Sequence, residues 1–226
     1  MHYFLVYNDN THEYFLQPLL QSVQQYGPEF KIIMFNKDQM DPEFVEKHKS
    51  ILSLRRGGGY WLWKPYIINT VLKQINEGDI LFYLDSKYYF KEPFQNLYAE
   101  YMKDHDFLLW KNKPNEPWFY MKNWCKMDVI LANNMYSKVF IDDCLDSWAG
   151  GMVIKKTDNT TKYIQEWLDL ACVYENITDS PSVIRNCADF REHRHDQSML
   201  SVVVYKYGIP LHFFEKKYLQ NARFPY

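Results

Sequence analysis

The stretch from residue 78 to residue 90 constrains the fold of this chain more than any other. Large apolar and aromatic side chains fill positions 80–84, which predicts a strand buried on both faces. The strand ends abruptly at Asp85, and Ser86 and Lys87 follow it. In an open α/β sheet, an aspartate at the carboxyl end of a central strand faces the crevice where ligands bind. A turn capped by Asp85 is the alternative interpretation.

The first 35 residues carry the pattern of a strand, a helix and a second strand. Apolar runs at 3–7 and 31–35 flank residues 15–23, where apolar side chains recur at helical spacing. Such a β-α-β unit is parallel and right-handed, and it commonly begins a nucleotide-binding sheet. We expect the turn from Asn8 to Thr11 to open towards the ligand. No Gly-x-Gly-x-x-Gly or Walker lysine motif occurs there, so neither a dinucleotide fold nor a P-loop is supported.

Residues 55–65 read RRGGGYWLWKP, the most unusual composition in the chain. Three consecutive glycines allow positive φ angles or a close approach of backbone to a ligand. Because two arginines, a lysine and three rings surround them, the loop suits an anionic, partly planar ligand. A flexible hinge beside an aromatic core is the alternative. Pro65 and the apolar periodicity up to Ile75 predict a helix whose amino terminus carries Lys64, where the helix dipole also attracts phosphate.

Composition narrows the class of protein. The 226 residues suit one large domain, and an aromatic content of 18% suits stacking against sugars or bases. A net charge of -2 argues against a nucleic-acid partner. The four cysteines lack any paired spacing, which predicts reduced thiols in a cytoplasmic compartment. We expect no signal peptide and no transmembrane segment, since no apolar run reaches about 18 residues.

The loop at 55–65, the helix after it and the strand ending at Asp85 resemble the nucleotide-sugar-dependent glycosyltransferases of the GT-A fold. In particular, they resemble the small polysaccharide-type transferases of bacterial and large-virus glycan clusters. The resemblance implies a single α/β domain over residues 1–226, with a mostly parallel central sheet flanked by helices. Residues 1–90 are then the Rossmann-like, nucleotide-sugar-binding half, and residues 91–226 are the acceptor and catalytic half. A viral copy would work in the host cytoplasm.

The resemblance also implies a reaction. A sugar moves from a nucleoside diphosphate donor, expected to be UDP-linked, to a hydroxyl of a glycan or glycoprotein acceptor. A nucleotidyltransferase shares this sheet topology, but it normally carries a glycine-rich basic loop after its first strand, which is missing here. A catalytically inactive nucleotide- or carbohydrate-binding module is the other alternative.

The implied cofactor is a divalent metal, Mn²⁺ or Mg²⁺, held by Asp85 together with the donor. Lys87 stands where the family carries a second aspartate, and a cation cannot ligate a metal. We therefore expect a weakly bound metal; replacement of the metal by Lys87 and an inactive copy are the alternatives. His212, in a predicted final strand, is the candidate second metal ligand, and an ordinary edge-strand side chain is its alternative interpretation.

The donor-binding candidates share a position on the glycine loop or at the ends of the first and third strands. They are Asn8, Arg55, Arg56, Gly58, Tyr60, Trp61, Lys64, Asp85, Ser86 and Lys87. The arginines and Lys64 are expected to offset the charge of the leaving diphosphate, and Tyr60 or Trp61 to stack on the base or sugar.

Asp196 begins an Asp-Gln-Ser run before an apolar helix, as in the family it resembles. There the aspartate faces the acceptor hydroxyl, so Asp196 is the candidate general base of an inverting transfer; a helix cap is the alternative. His193 and His195 are expected to assist the leaving diphosphate or to bind acceptor, unless they are merely solvated. The acceptor and sugar candidates are Trp124, Trp148, Gly150, Gly151, His193, His195 and Gln197. A surface loop anchored by tryptophans and a plain turn explain Trp124 and the glycines equally well.

Overall fold

The computed structural model describes residues 1–8, 13–111, 119–213 and 217–222. Its strands are, in chain order, β1 (His2–Tyr7), β2 (Phe30–Phe35), β3 (Ile80–Leu84), β4 (Tyr88–Phe90), β5 (Phe107–Lys111), β6 (Ser147–Lys155), β7 (Leu211–Phe213) and β8 (Leu219–Asn221). Six of these form the main sheet, in the order β2-β1-β3-β6-β5-β7, and β4 pairs with β8. The predicted turn beyond Asn8 lies outside the described residues.

Helices cover both faces of the main sheet. They are α1 (Glu13–Tyr26), α2 (Pro42–Lys47), α3 (Lys49–Leu52), α4 (Gly57–Tyr60), α5 (Trp63–Gln74), α6 (Phe94–Tyr101), α7 (Met121–Trp124), α8 (Met127–Ala132), α9 (Tyr136–Phe140), α10 (Asp158–Ala171), α11 (Tyr174–Ile177) and α12 (His195–Tyr207). Among the described residues, no helix combines the length and the apolar character that crossing a membrane requires.

The sheet has the predicted mostly parallel character. β1 pairs in parallel with β2 and with β3, and β5 pairs in parallel with β7. β6 runs antiparallel to both of its neighbours, β3 and β5. Since α1 connects β1 to the parallel β2, the predicted β-α-β unit is confirmed.

The β3 strand is central and buried on both faces, as predicted. Leu81 and Tyr83 belong to the core that includes α5, α10 and α12, whereas Ile80, Phe82 and Leu84 belong to the core on the other face, with α1 and α6. This alternation follows the two-residue period of a strand. Because each such side chain stabilises the fold by about 1.5–3 kcal/mol when buried, β3 fixes the position of the residues that follow it.

Four chain segments meet where β3 ends. Leu84 pairs with Gly151 in the antiparallel β6, so the beginning of β6 lies beside the end of β3. The backbone N–H of Asp85 donates to the carbonyl of Gly150 at 2.8 Å. The amino termini of α5 and α12 reach the same edge, since the side chain of Lys64 contacts both Asp85 and Asp196. The fold therefore brings residues from four separate stretches of sequence to one cleft.

Candidate active site

A cavity of about 220 Å³ opens at this edge of the sheet. Its lining comprises Arg56, Trp61, Lys64, Asp85, Lys87, Trp148, Ala149, Gly150, Glu192, His193, Arg194, His195, Asp196 and Gln197. The position agrees with the general rule that open α/β sheets bind ligands beyond the carboxyl ends of their strands. We call this cavity the cleft.

A buried lysine joins two carboxylates at the floor of the cleft. The Lys64 Nζ atom lies 3.4 Å from Asp85 Oδ1 and 3.2 Å from Asp196 Oδ2, and it donates to the Ala149 carbonyl at 3.2 Å. Its side chain is only 5% exposed, so the carbonyl and the two carboxylates replace water around the ammonium. Burial alone would lower the pKa of Lys64, but the two carboxylates raise it above its usual value. The ammonium is therefore charged and fixed.

The two carboxylates differ in their proton affinity. Burial favours protonation of both, but the ammoniums of Lys64 and Lys87 hold the pKa of Asp85 below its usual value. For Asp196, burial prevails over the attraction of Lys64 and raises the pKa to about 6. One carboxylate is thus a permanent anion, while the other can exchange a proton near neutral pH.

Asp85 is held by its own neighbours in sequence. The Tyr83 hydroxyl donates to Asp85 Oδ1 at 2.7 Å, and Lys87 Nζ lies 3.5 Å from Asp85 Oδ2. Lys87 follows β3 in the turn before β4, and its side chain is 31% exposed. Both oxygens of Asp85 therefore face a cation or a donor from this chain.

Asp196 is positioned by its backbone. The indole N–H of Trp167, on α10, donates to the Asp196 carbonyl at 2.7 Å. The preceding residue, His195, has a φ of 52°, an unusual value for a residue other than glycine. Strain of this kind persists only where surrounding contacts fix the backbone, and it is frequent at functional sites.

The glycine loop forms a left-handed turn. Gly57, Gly58, Gly59, Tyr60 and Trp61 all have positive φ, between 53° and 98°, so the positive φ expected of the glycines is confirmed. A Cβ atom at Gly59 would lie 2.7 Å from the Cα of Leu52, which leaves no space for a side chain. Tyr60 and Trp61 each carry about 1–2 kcal/mol of strain in this conformation.

This turn brings Trp61 to the cleft. The Trp61 indole stacks on the ring of His195, with centroids 5.4 Å apart and planes at 24°. Arg56, which precedes the turn, donates to Asp179 at 2.9 Å and to Glu192 at 3.0 Å. These hydrogen bonds connect the glycine loop to the segment between α11 and α12.

A further carboxylate, Asp146, lies behind the wall of the cleft just before β6. It is buried and accepts hydrogen bonds from Gln197 Nε2 and from the Ser201 hydroxyl, the latter at 2.7 Å. Its Oδ2 atom is 3.7 Å from Nη1 of Arg194, whose guanidinium lies 3.6 Å from the centroid of the Trp124 ring. Burial raises the pKa of Asp146, against the opposing effect of Arg194.

Solved structures with the same arrangement of strands and helices identify the fold. WbbM, a bifunctional glycosyltransferase, matches with a TM-score of 0.56 at 10% sequence identity, over 93% of this chain and 38% of that one. The fold is that of the GT-A glycosyltransferases.

Two further similar structures carry related descriptions. Mouse xyloside xylosyltransferase 1 is 11% identical, with a TM-score of 0.49 over 95% of this chain and 86% of that one. A glycosyltransferase involved in the glycosylation of the major capsid of PBCV-1 is 10% identical, with a TM-score of 0.47 over 94% of this chain and 81% of that one. No protein-family model matches the chain, and no curated protein matches it in sequence.

Within this GT-A fold, the cleft contains some of the predicted donor-binding residues and not others. Arg56, Trp61, Lys64, Asp85 and Lys87 line it. The remaining candidates, Asn8, Arg55, Gly58, Tyr60 and Ser86, are not part of the lining. Of these, Arg55, Tyr60 and Ser86 are adjacent in sequence to residues that line the cleft. The Tyr60 hydroxyl also donates to Asp179, a partner of Arg56, at 3.0 Å.

The predicted pairing of Asp85 with His212 as metal ligands does not form. In the strand order, β6 and β5 separate β7 from β3, which places the two strands roughly 14 Å apart at about 4.8 Å per strand. The ring of His212 lies instead against Tyr101 and His105, at 5.1 Å and 5.3 Å. The edge-strand interpretation describes its position.

The residues around Asp85 do not fit a divalent metal. In the part of the chain that the structure describes, no three His, Cys, Asp or Glu side chains form a group able to hold one. A cation beside Asp85 would also approach the ammoniums of Lys64 and Lys87, each within 3.5 Å of an Asp85 oxygen. Hard divalent cations need several oxygen ligands, and ammonium groups supply none.

The predicted histidines are buried rather than solvated. His193 and His195 are each 3% exposed, and their rings contact the backbone carbonyls of Asn176 and Ile177. Burial lowers the pKa of His193 to about 3, and it also lowers that of His195. Because His193 is neutral at pH 7, it cannot supply charge to a leaving diphosphate.

Several of the predicted acceptor and sugar residues line the cleft, namely Trp148, Gly150, His193, His195 and Gln197. Trp148 lines the cleft, and a Cβ atom at Gly150 would lie 2.5 Å from its indole, so this glycine lets the ring lie flat on β6. Gln197 Oε1 accepts from the Ala149 N–H at 3.4 Å, and its amide nitrogen donates to Asp146. Trp124 lies beneath Arg194 and does not line the cleft.

Sequence reasoning missed Asp146, Asp179, Glu192 and Arg194. Asp146 lies four residues before the candidate Gly150, and Arg194 lies between the candidates His193 and His195. The sequence shows that both residues lie near candidate site residues. It does not show that they pair, because Arg194 and Asp146 are 48 residues apart in the sequence.

Proposed function

We propose that this protein transfers a sugar from a nucleoside diphosphate donor, UDP-linked, to a hydroxyl group of a glycan acceptor. One observation carries the proposal: Asp85 and Asp196 share the buried ammonium of Lys64 in a cleft at the carboxyl end of the central strand. The GT-A fold supports the same class of reaction, although fold alone does not determine activity.

Asp196 is the proposed general base. With a pKa of about 6, its carboxylate is ionised at pH 7 and still basic enough to accept a proton. It takes the proton of the acceptor hydroxyl as that oxygen forms a bond to the anomeric carbon. The bond from the anomeric carbon to the diphosphate breaks, and the diphosphate leaves with the electron pair. A base on the face opposite the leaving group gives inversion at that carbon.

Lys64 is the proposed positioning residue rather than a ligand of the diphosphate, since its ammonium is buried between Asp85, Asp196 and the Ala149 carbonyl. It holds the carboxylate of Asp196 towards the cleft and fixes Asp85 beside it. Trp61 and Trp148, which both line the cleft, offer flat apolar surfaces to the base or to a sugar ring.

The test is the release of nucleoside diphosphate from a panel of UDP-, GDP- and TDP-sugars, with and without added glycan acceptors. We expect turnover of a UDP-sugar by the wild-type protein. Asp196→Asn should lower kcat by about 10²- to 10⁴-fold, the usual contribution of a general base. Asp104→Asn, at an exposed aspartate outside the cleft, is the matched control and should leave kcat unchanged. Binding of a nucleotide without turnover of any donor would favour the inactive binding module.

A further inference from the structure

The four cations that line the cleft differ in how far their N–H donors are used. Arg56 donates to Asp179 and Glu192, and Lys64 donates to the Ala149 carbonyl with Asp85 and Asp196 beside it. Lys87 and Arg194 have ion-pair partners, Asp85 at 3.5 Å and Asp146 at 3.7 Å. Neither side chain donates a hydrogen bond to a described residue, so the N–H donors of both are available to an anionic ligand.

Arg194 is held in place without its hydrogen-bond donors being used. The Cζ atom of its guanidinium lies 3.6 Å from the centroid of the Trp124 ring. Its Nη1 atom lies 3.7 Å from Oδ2 of Asp146. That separation is longer than a hydrogen bond. Among the described residues, none accepts a hydrogen bond from this guanidinium. A planar fork of N–H donors, fixed from behind and 30% exposed, suits the oxygens of a phosphate.

Lys87 lies on the other side of Asp85 from Lys64. It has one ion-pair contact in the described structure, to Asp85 Oδ2 at 3.5 Å, and it precedes the Tyr88 ring, which its ammonium approaches to 5.7 Å. Asp85 is shared with Lys64 and Tyr83, so it neutralises Lys87 only in part.

We propose that Lys87 and Arg194 together neutralise the diphosphate of the donor and that this protein works without a divalent metal. The inference rests on the proposed function, since it assigns the diphosphate site of the same cleft. Two cations of the cleft lining match the two negative charges on the diphosphate of a nucleoside diphosphate sugar. They also lie where they can stabilise the charge that grows on the leaving group. Asp146 acts as the positioning residue for Arg194.

The experiment is calorimetric titration of UDP into the wild-type protein in EDTA and, separately, in Mn²⁺. We expect the Kd in EDTA to lie within about twofold of the Kd in Mn²⁺. Lys87→Met and Arg194→Met should each weaken UDP binding in EDTA by at least about tenfold, while Arg194→Lys retains part of the affinity. Lys103→Met and Arg185→Met, at exposed positions outside the cleft, are the matched controls and should bind UDP as the wild type does.

Uridine serves as the second probe, because it lacks the diphosphate. Its affinity should be unchanged in Lys87→Met and Arg194→Met, which separates the loss of an anion site from a failure to fold. Binding of UDP that appears only with Mn²⁺, or variants that bind UDP normally, would overturn the inference while leaving the proposed function intact. Absence of UDP binding in both buffers would instead remove the proposed function, and this inference with it.

Discussion

Two lysines of this chain are almost equally buried and yet have opposite surroundings. Lys64 and Lys126 are 4% and 3% exposed. Lys64 contacts two carboxylates, which raise its pKa, whereas Lys126 donates to the backbone carbonyls of Glu175, Thr178 and Ser180, and burial lowers its pKa. The Lys64 arrangement places three charged groups in an accessible cleft. The Lys126 arrangement holds the backbone around the end of α11 in place. Burial of a charged residue therefore does not by itself identify a functional site, but the chemistry of its partners does.

The largest difference is expected when each lysine is replaced by methionine. In Lys64→Met, Asp196 stays buried without its counter-ion and Asp85 keeps only Lys87, which should destabilise the fold by about 3–5 kcal/mol. The loss should grow as pH rises, because without Lys64 the folded-state pKa values of Asp85 and Asp196 increase, and ionising them then opposes folding. Urea unfolding at pH 5 and pH 8 measures this. A loss that is equal at the two pH values would contradict the shared-ammonium arrangement.

A smaller effect is expected at Lys126. In Lys126→Met, the carbonyls of α11 and of the loop after it lose their donor, at a cost of about 1–3 kcal/mol. No carboxylate accepts a hydrogen bond from the Lys126 ammonium among the described residues, so the loss should vary little between pH 5 and pH 8. The same urea series gives the comparison, and UDP affinity should be retained. A strong pH dependence here would mean that the two lysines do not differ as described.

The smallest effect is expected at the exposed ion pairs of Arg56. Its partners Asp179 and Glu192 are 40% and 51% exposed, and such pairs contribute about 0.2–1 kcal/mol. Arg56→Ala should therefore change the free energy of unfolding by less than either lysine variant, and added salt should reduce the change further. Urea unfolding in 0.05 M and 0.5 M NaCl tests this. A loss as large as that of Lys64→Met would show that these pairs are not screened by solvent.

The sequence predicted the parts of the cleft that follow from strand direction and helix polarity. Asp85 was recognisable because a run of buried residues stops at it, and Lys64 because Pro65 marks the start of a helix. Carboxyl ends of parallel strands and amino termini of the following helices meet at one edge, which brings Lys64 and Asp85 together.

The position of His212 depends on the order of strands, which local pattern does not encode. His212 lies on a three-residue strand whose neighbour in the sheet is β5, and nothing in its sequence distinguishes that position from one beside β3. The buried state of His193 and His195 was missed for a similar reason, because the carbonyls that contact them belong to α11, about 17 residues away in the sequence. The pairing of β4 with β8 is likewise non-local.

The pH dependence of donor turnover tests the central claim most directly. We expect kcat/KM for nucleoside diphosphate release to rise about tenfold per pH unit below pH 6 and to level off above it, as Asp196 loses its proton. Lys126→Met should keep this profile, and Asp196→Asn should lose both the rate and the pH dependence. A wild-type profile that is flat through pH 6, or an Asp196→Asn variant that turns over donor at the wild-type rate, would contradict the account.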